Sequence, residues 1–547
     1  MRGRKNFVTL LTTVGYPTWY LIILLFVFAA PAIIEGKIIY VDDDANGLND
    51  GTSWQNAYNY LQDALTDANS SDKPVEIRVA QGIYRPDETS AEPNGASNRE
   101  ATFQLINGVT IKGGYAGFGE PDPNARDVEL YETILSGDLD GNDFDVIDPC
   151  DLQNEPTRGE NSYNVFHHPW GSNLDATAIL DGFTITGGNA NDNSQPHDYG
   201  GGMHNYYSSP TLVNCTFIRN SATKWGGGMY NGHSSPILTN CTFSRNSANY
   251  DGGGMDNYYS SPTLTNCTFN GNSAYYFGGG MDNRHDSSPD VKNCKFIGNL
   301  AFDGGGICNW ESSPNLKRCR FNGNSANGYG GGMYNGFSSL TMTNCILIAN
   351  SANYGGGMYI CYHSSPTLTN CTIADNNAPN GPAVVCNSFQ QQYPSTVKIV
   401  NCIIWNTYPW LLNNDGSTIN ITYSDVQGGW LGEGNINEDP NFTDPNNSDY
   451  HLKSQAGRWD PNSASWVKDD VTSPCIDAGD PASPIGYEPF PNGGVIDMGA
   501  YGGTVEASKS YFGEPVCETI VAGDINGDCI VNFKDFAFMA LHWLEEY

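Results

Sequence analysis

Basic side chains are scarce in this sequence. Lysine and arginine total 26 against 60 aspartates and glutamates, a formal charge of −34. Such a surface repels phosphate backbones and anionic headgroups, which argues against nucleic acid and acidic membranes as partners. It suits calcium or a neutral or cationic surface, and it also simply keeps an exported protein in solution. Apolar residues are few too, at 39% of the chain, which fits a narrow core better than a thick globular one. Only residues 20–30 form a long apolar run, and no later segment could span a bilayer. Familiar catalytic spacings are also missing: no Ser-His-Asp set, phosphate loop or zinc motif stands out.

The one apolar run follows Arg2, Arg4 and Lys5 and precedes the small residues Ala29, Ala30 and Ala32. This is the layout of a secretory signal peptide over 1–32, with an uncleaved anchor as the alternative. A secreted or cell-surface location follows.

What the chain has in abundance is repetition. From Gly200 to about Asn387, a unit of about 26 residues recurs as GGGM-x-N, SSP-x-L-x-N-C-T-F and x-x-N-S-A. Met203, Met229, Met255, Met281, Ile307, Met333 and Met358 close the glycine triplets. Cysteines recur at 215, 241, 267, 294, 319, 345, 371 and 402. A period this constant stacks one unit on the next as a solenoid. Glycine triplets and prolines exclude helix inside the unit. The apolar positions Leu212, Cys215 and Phe217 predict short strands with a bend between Leu and Cys. Successive coils then pair in parallel, giving an all-β parallel β-helix whose only open edges are its two ends.

The repeated cysteines read as one buried column of small hydrophobes, though neighbours spaced by about 4.8 Å could also oxidise. Cys517 and Cys529, outside the repeat, are a more natural bridge. Three asparagine columns, headed by Asn205, Asn214 and Asn220, read as turn and ladder positions. The N-C-T triplets match a glycosylation sequon, but the ladder accounts for them better. Apolar spacing over 54–68 predicts a helix that caps the first coil. The expected divisions are 33–190 for cap and first coils, 191–405 for regular repeats, 406–510 for C-terminal coils and 518–547 for a small module.

The repeat resembles the right-handed parallel β-helix of the pectin lyase-like superfamily. Its GGGM and F-x-x-N elements are similar to polymorphic outer-membrane protein repeats. YVDDDANGLNDGTSW near the start, and SPCIDAGDP and IDMGAYGGT near the end, resemble exported β-helix proteins of environmental bacteria. The resemblance implies the fold and leaves the activity open, since the superfamily hosts lyases, hydrolases and adhesins. The N-T-D, G-x-D-D and G-H-G set of its hydrolase branches is missing here. The tail AGDINGDCIVNFKDFAFMALHWLE resembles half of a dockerin. That resemblance implies Ca²⁺ ligands at Asp524, Asn526, Asp528, Asn532 and Asp535 and a cohesin-like or cell-envelope partner. Cys529 stands where glycine is usual, and only one of two repeats is present.

The residues that vary from unit to unit lie beside the glycine triplets. Tyr206, Trp225, Tyr230, Tyr258, Trp310, Tyr334 and Tyr359 form an aromatic face suited to the apolar sides of sugar rings. The same rings could instead brace one another as ladders. Asp256 and Asp282 share one register, with carboxyls expected about 5 Å apart, near the spacing used by retaining glycosidases. Arg284 and His285 follow them, so an acid–base or lyase-like site can be drawn. His167 and His168 lie outside the repeat and read as a turn. Two functions result: a monomeric surface protein that binds extracellular polysaccharide or mediates adhesion, or a polysaccharide lyase or glycoside hydrolase localised by its tail.

Overall fold

The computed structural model describes residues 36–388, 392–406, 411–412 and 415–511, with 531, 533 and 535–537 in the tail. The expected signal peptide, the Cys517–Cys529 bridge and the ligands Asp524, Asn526, Asp528 and Asn532 lie outside the described residues. Asp535 is described, as a buried residue in a helical turn. Among the described residues, no helix is long and apolar enough to cross a membrane.

The chain forms an all-β parallel β-helix, as the repeat predicts. One coil illustrates the plan. Met203–Tyr206 joins sheet III, Thr211–Val213 sheet I, Thr216–Ile218 sheet II and Ser221–Ala222 sheet IV. Each strand pairs in parallel with its counterpart in the next coil, Met203 with Met229, Leu212 with Leu238 and Phe217 with Phe243. Sheets I, II, III and IV run to 13, 12, 10 and 6 strands, so every interior strand has both backbone edges satisfied.

Left-handed residues make the corners. Tyr207, Asn214 and Arg219 have φ of 52°, 51° and 55°, and their equivalents repeat the value down the stack. Asparagine tolerates this conformation better than most residues, which explains its column between sheets I and II. The fourth corner uses the first glycine of each triplet. At Gly252, φ is +65° and an added Cβ would lie 2.6 Å from the Met255 carbonyl oxygen. This tight return folds the residue before the glycines back over sheet III.

The core is a set of columns. Phe217, Phe243, Phe269, Phe296 and Phe321 stack nearly parallel at 4.8–4.9 Å, one coil spacing apart. The cysteine column is buried, and every described cysteine is free. Two asparagine columns run inside. Asn205, Asn231, Asn257, Asn283, Asn309 and Asn335 each donate Nδ2 to the next Oδ1 at 2.9 Å, up to Asn335. Ile360 follows Asn335 in register, so its Nδ2 ends the chain without a partner.

The first edge is capped differently from the expected 54–68 helix. Helix α1 covers only Leu61–Ser70 and buries Leu61, Ala64, Leu65 and Ala68. Residues 51–58 instead satisfy the open edge of Lys37–Val41. The Tyr40 N–H donates to Gly51 O, the Asp42 N–H to Tyr58 O, and the Tyr58 N–H to Tyr40 O. Trp54 is buried with Tyr40 and Tyr115, so its apolarity reflects this contact and not a helix face.

The other end corrects the expected C-terminal coils over 406–510. Parallel strands end with Thr418–Thr422 and Asp425–Val426. Residues 442–511 form two antiparallel hairpins and long turns that lie against the outside of sheet II. Pro445, Pro461, Pro474, Pro481, Pro484, Pro489 and Pro491 punctuate this stretch, and no glycine triplet recurs in the repeat's pattern. Tyr450 and Ala500 pack on Ile346, Ile348 and Ala374, and Leu452, Cys475 and Met498 pack on Ile403. Asn344 Nδ2 donates to Ala500 O and Gly502 O at 3.0 and 2.7 Å. Asn370 Nδ2 donates to Asp497 O at 2.9 Å.

Two buried acids are expected to make the packing of this segment pH-dependent. Glu488 Oε1 accepts the N–H groups of Asp497 and Gly503, both at 2.8 Å. Burial pushes Glu488 up to about 7 and Asp497 well above the carboxylate range, each aggravated by a neighbouring carboxyl. Acids raised in the folded state give stability that is full below their unfolded values and lost as pH rises through the folded ones. Limited proteolysis within 436–511 is therefore expected to be faster at pH 8.5 than at pH 5.5, and Glu488→Gln to flatten the difference. Equal rates in the parent at both pH values would count against this account.

Candidate functional site

Sheet III presents one outward column along the helix axis: His167, His204, Tyr230, Asp256, Asp282, Cys308, Tyr334 and Tyr359. Alternation points these residues away from the core. The glycine corners then fold Tyr199, Trp225, Asp251 and their equivalents over them. Tyr199 stacks on Trp225 at 4.7 Å and on Tyr230 at 5.0 Å, and His204 stacks on Tyr230 at 5.3 Å. Tyr230, Tyr334 and Tyr359 are buried, while Tyr206, Trp225, Tyr258 and Trp310 are half-buried. Much of the expected aromatic face is thus a ladder of rings braced against one another.

The middle of the column is charged. Asp256 and Asp282 sit opposite each other in adjacent strands, and with Asp251 they bring carboxylate oxygens within 4.8 Å of one another. Arg284 spans all three. Its Nη1 donates to Asp251 at 2.7 Å, its Nη2 donates to Asp256 at 2.6 Å, and its Nε lies 2.7 Å from Asp282. The guanidinium lies over the Trp225 ring, 4.7 Å from its centre. Burial pushes Asp256 up to about 7 and Asp282 well above the usual range, and Arg284 offsets only part of that. Both carboxyls are fully buried. The pair foreseen from the sequence is adjacent in register, and it is closed over by a cation and a tryptophan.

His285 does not join this group. Its φ of 53° ends the strand alternation and turns the side chain into a second column. There Tyr207, His233, Tyr259 and His285 stack at 4.7, 5.0 and 5.5 Å. His285 Nδ1 lies 2.9 Å from a Glu311 carboxylate oxygen.

The open part of the face is its N-terminal end. Residues 166–168 form the first strand of sheet III, not a turn. His168 points inward and starts the asparagine ladder. Its Nε2 accepts the Leu105 N–H at 3.1 Å, which leaves Nδ1–H to donate to Asn205 Oδ1 at 2.7 Å. Burial lowers its pKa to about 4, so the ring is neutral as this pattern requires. His167 points outward, 5.1 Å from His204 between ring centres. Burial lowers His167 to about 4 and His204 further. His204 Nδ1 is buried without a hydrogen-bond partner.

His167 and His204, with Trp170, Tyr206, Tyr230 and Pro196, line a cavity of about 210 Å³. Trp170 is 77% exposed beside it. Neither Trp170 nor Asp251 stands out in the sequence: Trp170 lies before the repeat, and Asp251 occupies the Trp225 position, where most coils carry a ring. The aromatic-rich sequence FHHPW was the available signal.

A family model described as right-handed β-helix region matches residues 152–299 and 232–356, in agreement with the fold expected from the repeat. One described as disaggregatase related matches 319–479. No curated protein matches the chain. Among solved structures, a pectate lyase, Pel9A, is similar at 15% identity, covering 85% of this chain and 96% of its own, with a TM-score of 0.41. XylC in complex with xylose shows 9% identity, 74% and 87% coverage and a TM-score of 0.37. The Azotobacter vinelandii mannuronan C-5 epimerase AlgE6 A-module shows 14%, 69% and 93%, and 0.34.

Proposed function

We propose that this β-helix is an exported protein that holds extracellular polysaccharide through the open end of sheet III. The observation that carries this reading is the cavity beside Trp170. A well-exposed indole offers a flat apolar surface to a sugar ring. Beside it, His167 and His204 are neutral, so they can exchange hydrogen bonds with hydroxyls without demanding a counter-ion. The unpaired Nδ1 of His204 gives a bound hydroxyl something to satisfy. The C-terminal loop headed by Asp524 is proposed to bind Ca²⁺ and to tether the β-helix to a cohesin-like or cell-envelope partner.

A glycan array with the full chain tests the reading. Binding is expected, and Trp170→Ala and His204→Phe are each expected to weaken it by about tenfold, the loss of one good contact. Absence of binding to any polysaccharide would remove the proposal. Release of unsaturated products from acidic polysaccharides, abolished by Asp256→Ala, would replace it with the lyase alternative.

A further inference from the structure

Sheet IV carries a second feature that the repeat alone does not explain. Its strands are two residues long and small, with Ser-Ala at Ser221–Ala222, Ser247–Ala248, Ser273–Ala274 and Ser325–Ala326. The polar insertion before the repeats lies over its first coils. Arg158 is buried there and donates to Gly188 O at 3.0 Å and to Ser221 Oγ at 3.3 Å. Gln153 donates to Ala222 O. This cover ends where Cys150 Sγ meets Ser273 Oγ at 3.1 Å.

Beside Cys150, which lines one edge, the strip opens from the coil of Ser247 to that of Asn327 as a groove of about 400 Å³. In register with the serines stands Leu300, paired with Ser273 on one side and Ser325 on the other and 36% exposed. Tyr275 and Phe302, 69% and 48% exposed, form its walls with Tyr276. Tyr275 meets Tyr276 edge-on at 83°, so the two rings do not close on each other face to face as the sheet III ladder does. Exposed Asn249 and Asn327 stand at the two ends. Among the described residues, no charged side chain lines the groove, in a chain that carries −34 overall.

We infer that this groove binds an uncharged glycan chain lying along the helix axis. Leu300, Tyr275 and Phe302 offer apolar surface to the C–H faces of pyranose rings, and the two carboxamides offer donors and acceptors to hydroxyls. A uronate polymer would bring negative charge into a site with no cation to meet it, on an acidic protein. From the coil of Ser247 to that of Asn327 is three coil steps, roughly 14 Å at about 4.8 Å each, enough for a short run of sugar rings. Exposed apolar residues here break a repeat that elsewhere keeps the strip small and polar, and a ligand accounts for that departure. The inference rests on the glycan-binding reading above and narrows it to uncharged glycans, on a surface separate from Trp170.

Titration calorimetry of the full chain with cellohexaose, xylohexaose, mannohexaose and oligogalacturonate tests it. At least one uncharged oligosaccharide is expected to bind, and oligogalacturonate is not expected to enter this groove. Tyr275→Ala and Phe302→Ala are expected to weaken binding by about tenfold each. Leu300→Ser restores the residue of the neighbouring coils, so it keeps the fold, and it is expected to weaken binding as well. Trp170→Ala is expected to leave the groove's share of binding unchanged. Binding lost in Trp170→Ala and unaffected by all three groove variants would overturn the groove and leave the sheet III site standing. Binding of oligogalacturonate alone would overturn the uncharged class. No binding of any saccharide would overturn both.

Discussion

Arg284→Met is expected to destabilise the central coils by about 3–5 kcal/mol at neutral pH, the usual cost of stranding buried charge. Among the described residues, Arg284 is the one cation paired with Asp251, Asp256 and Asp282. Methionine keeps much of the side-chain volume over Trp225 and removes the charge. The carboxyls are already held above their ordinary values by burial, and without the guanidinium they rise further. Raised acids are stable when protonated, so the loss is expected to be small near pH 4 and full near pH 8. Asp256→Asn with Asp282→Asn in the Arg284→Met background is expected to recover most of the stability. Hydrogen exchange over 250–310, with urea melts at both pH values, reads these outcomes. An Arg284→Met protein as well protected as the parent at pH 8 would show that the trio is not held by its cation.

This trio also bears on what the middle of sheet III can do. An acid–base pair must present a proton or a lone pair to its substrate. Here the carboxyls are fully buried beneath Arg284, which is itself stacked on Trp225. In this geometry the acidic centre braces the face, which is why the proposed binding surfaces are its N-terminal end and the strip beside Leu300.

How much of this the sequence shows depends on whether a residue lies in the repeat. The period and the place of the bend between Leu212 and Cys215 follow from the unit itself, because each coil must satisfy the next. Asn214 at φ 51° is that bend. His285 follows Arg284 directly in the sequence, and only the left-handed corner, with φ of 53°, shows that its side chain turns away from the acids into a separate column. The burial of Tyr230, Tyr334 and Tyr359 depends on how sharply the glycine corner returns, which spacing alone does not give. The docking of 442–511 left a trace that is visible only beside the other coils. Outward positions held by Thr216, Thr242, Thr268, Lys295 and Arg320 become Ile346, Thr372 and Ile403 where the C-terminal segment covers sheet II.

The second large effect is expected inside, at the asparagine column that lines the corner after sheet II. Asn272 Oδ1 accepts the N–H of Asn246 at 3.1 Å and its Nδ2 at 3.0 Å. Asn272 Nδ2 donates to Phe243 O and to Asn299 Oδ1, both at 2.9 Å. Asn272→Ala removes all of these at once and leaves buried partners that water cannot reach, a cost of about 4–6 kcal/mol from net bonds of about 1 kcal/mol each plus desolvated groups. Asn272→Asp keeps the acceptors, loses both donations and sets a carboxylate against Asn299 Oδ1. It is expected to be at least as damaging at pH 8, and to recover in part near pH 4, where the protonated acid regains one donor. Because each coil touches only its neighbours, protection from hydrogen exchange is expected to fall mainly between 240 and 310 and to persist at both ends. A uniform loss along the whole stack would mean that the coils unfold as one unit, and an unchanged melt would mean that the ladder is not what holds the corners. The same locality explains why the variable residues could drift around the glycine triplets: the asparagines and phenylalanines hold each coil from within, so an outward position is free to become a ring, an acid or a leucine as its surface requires.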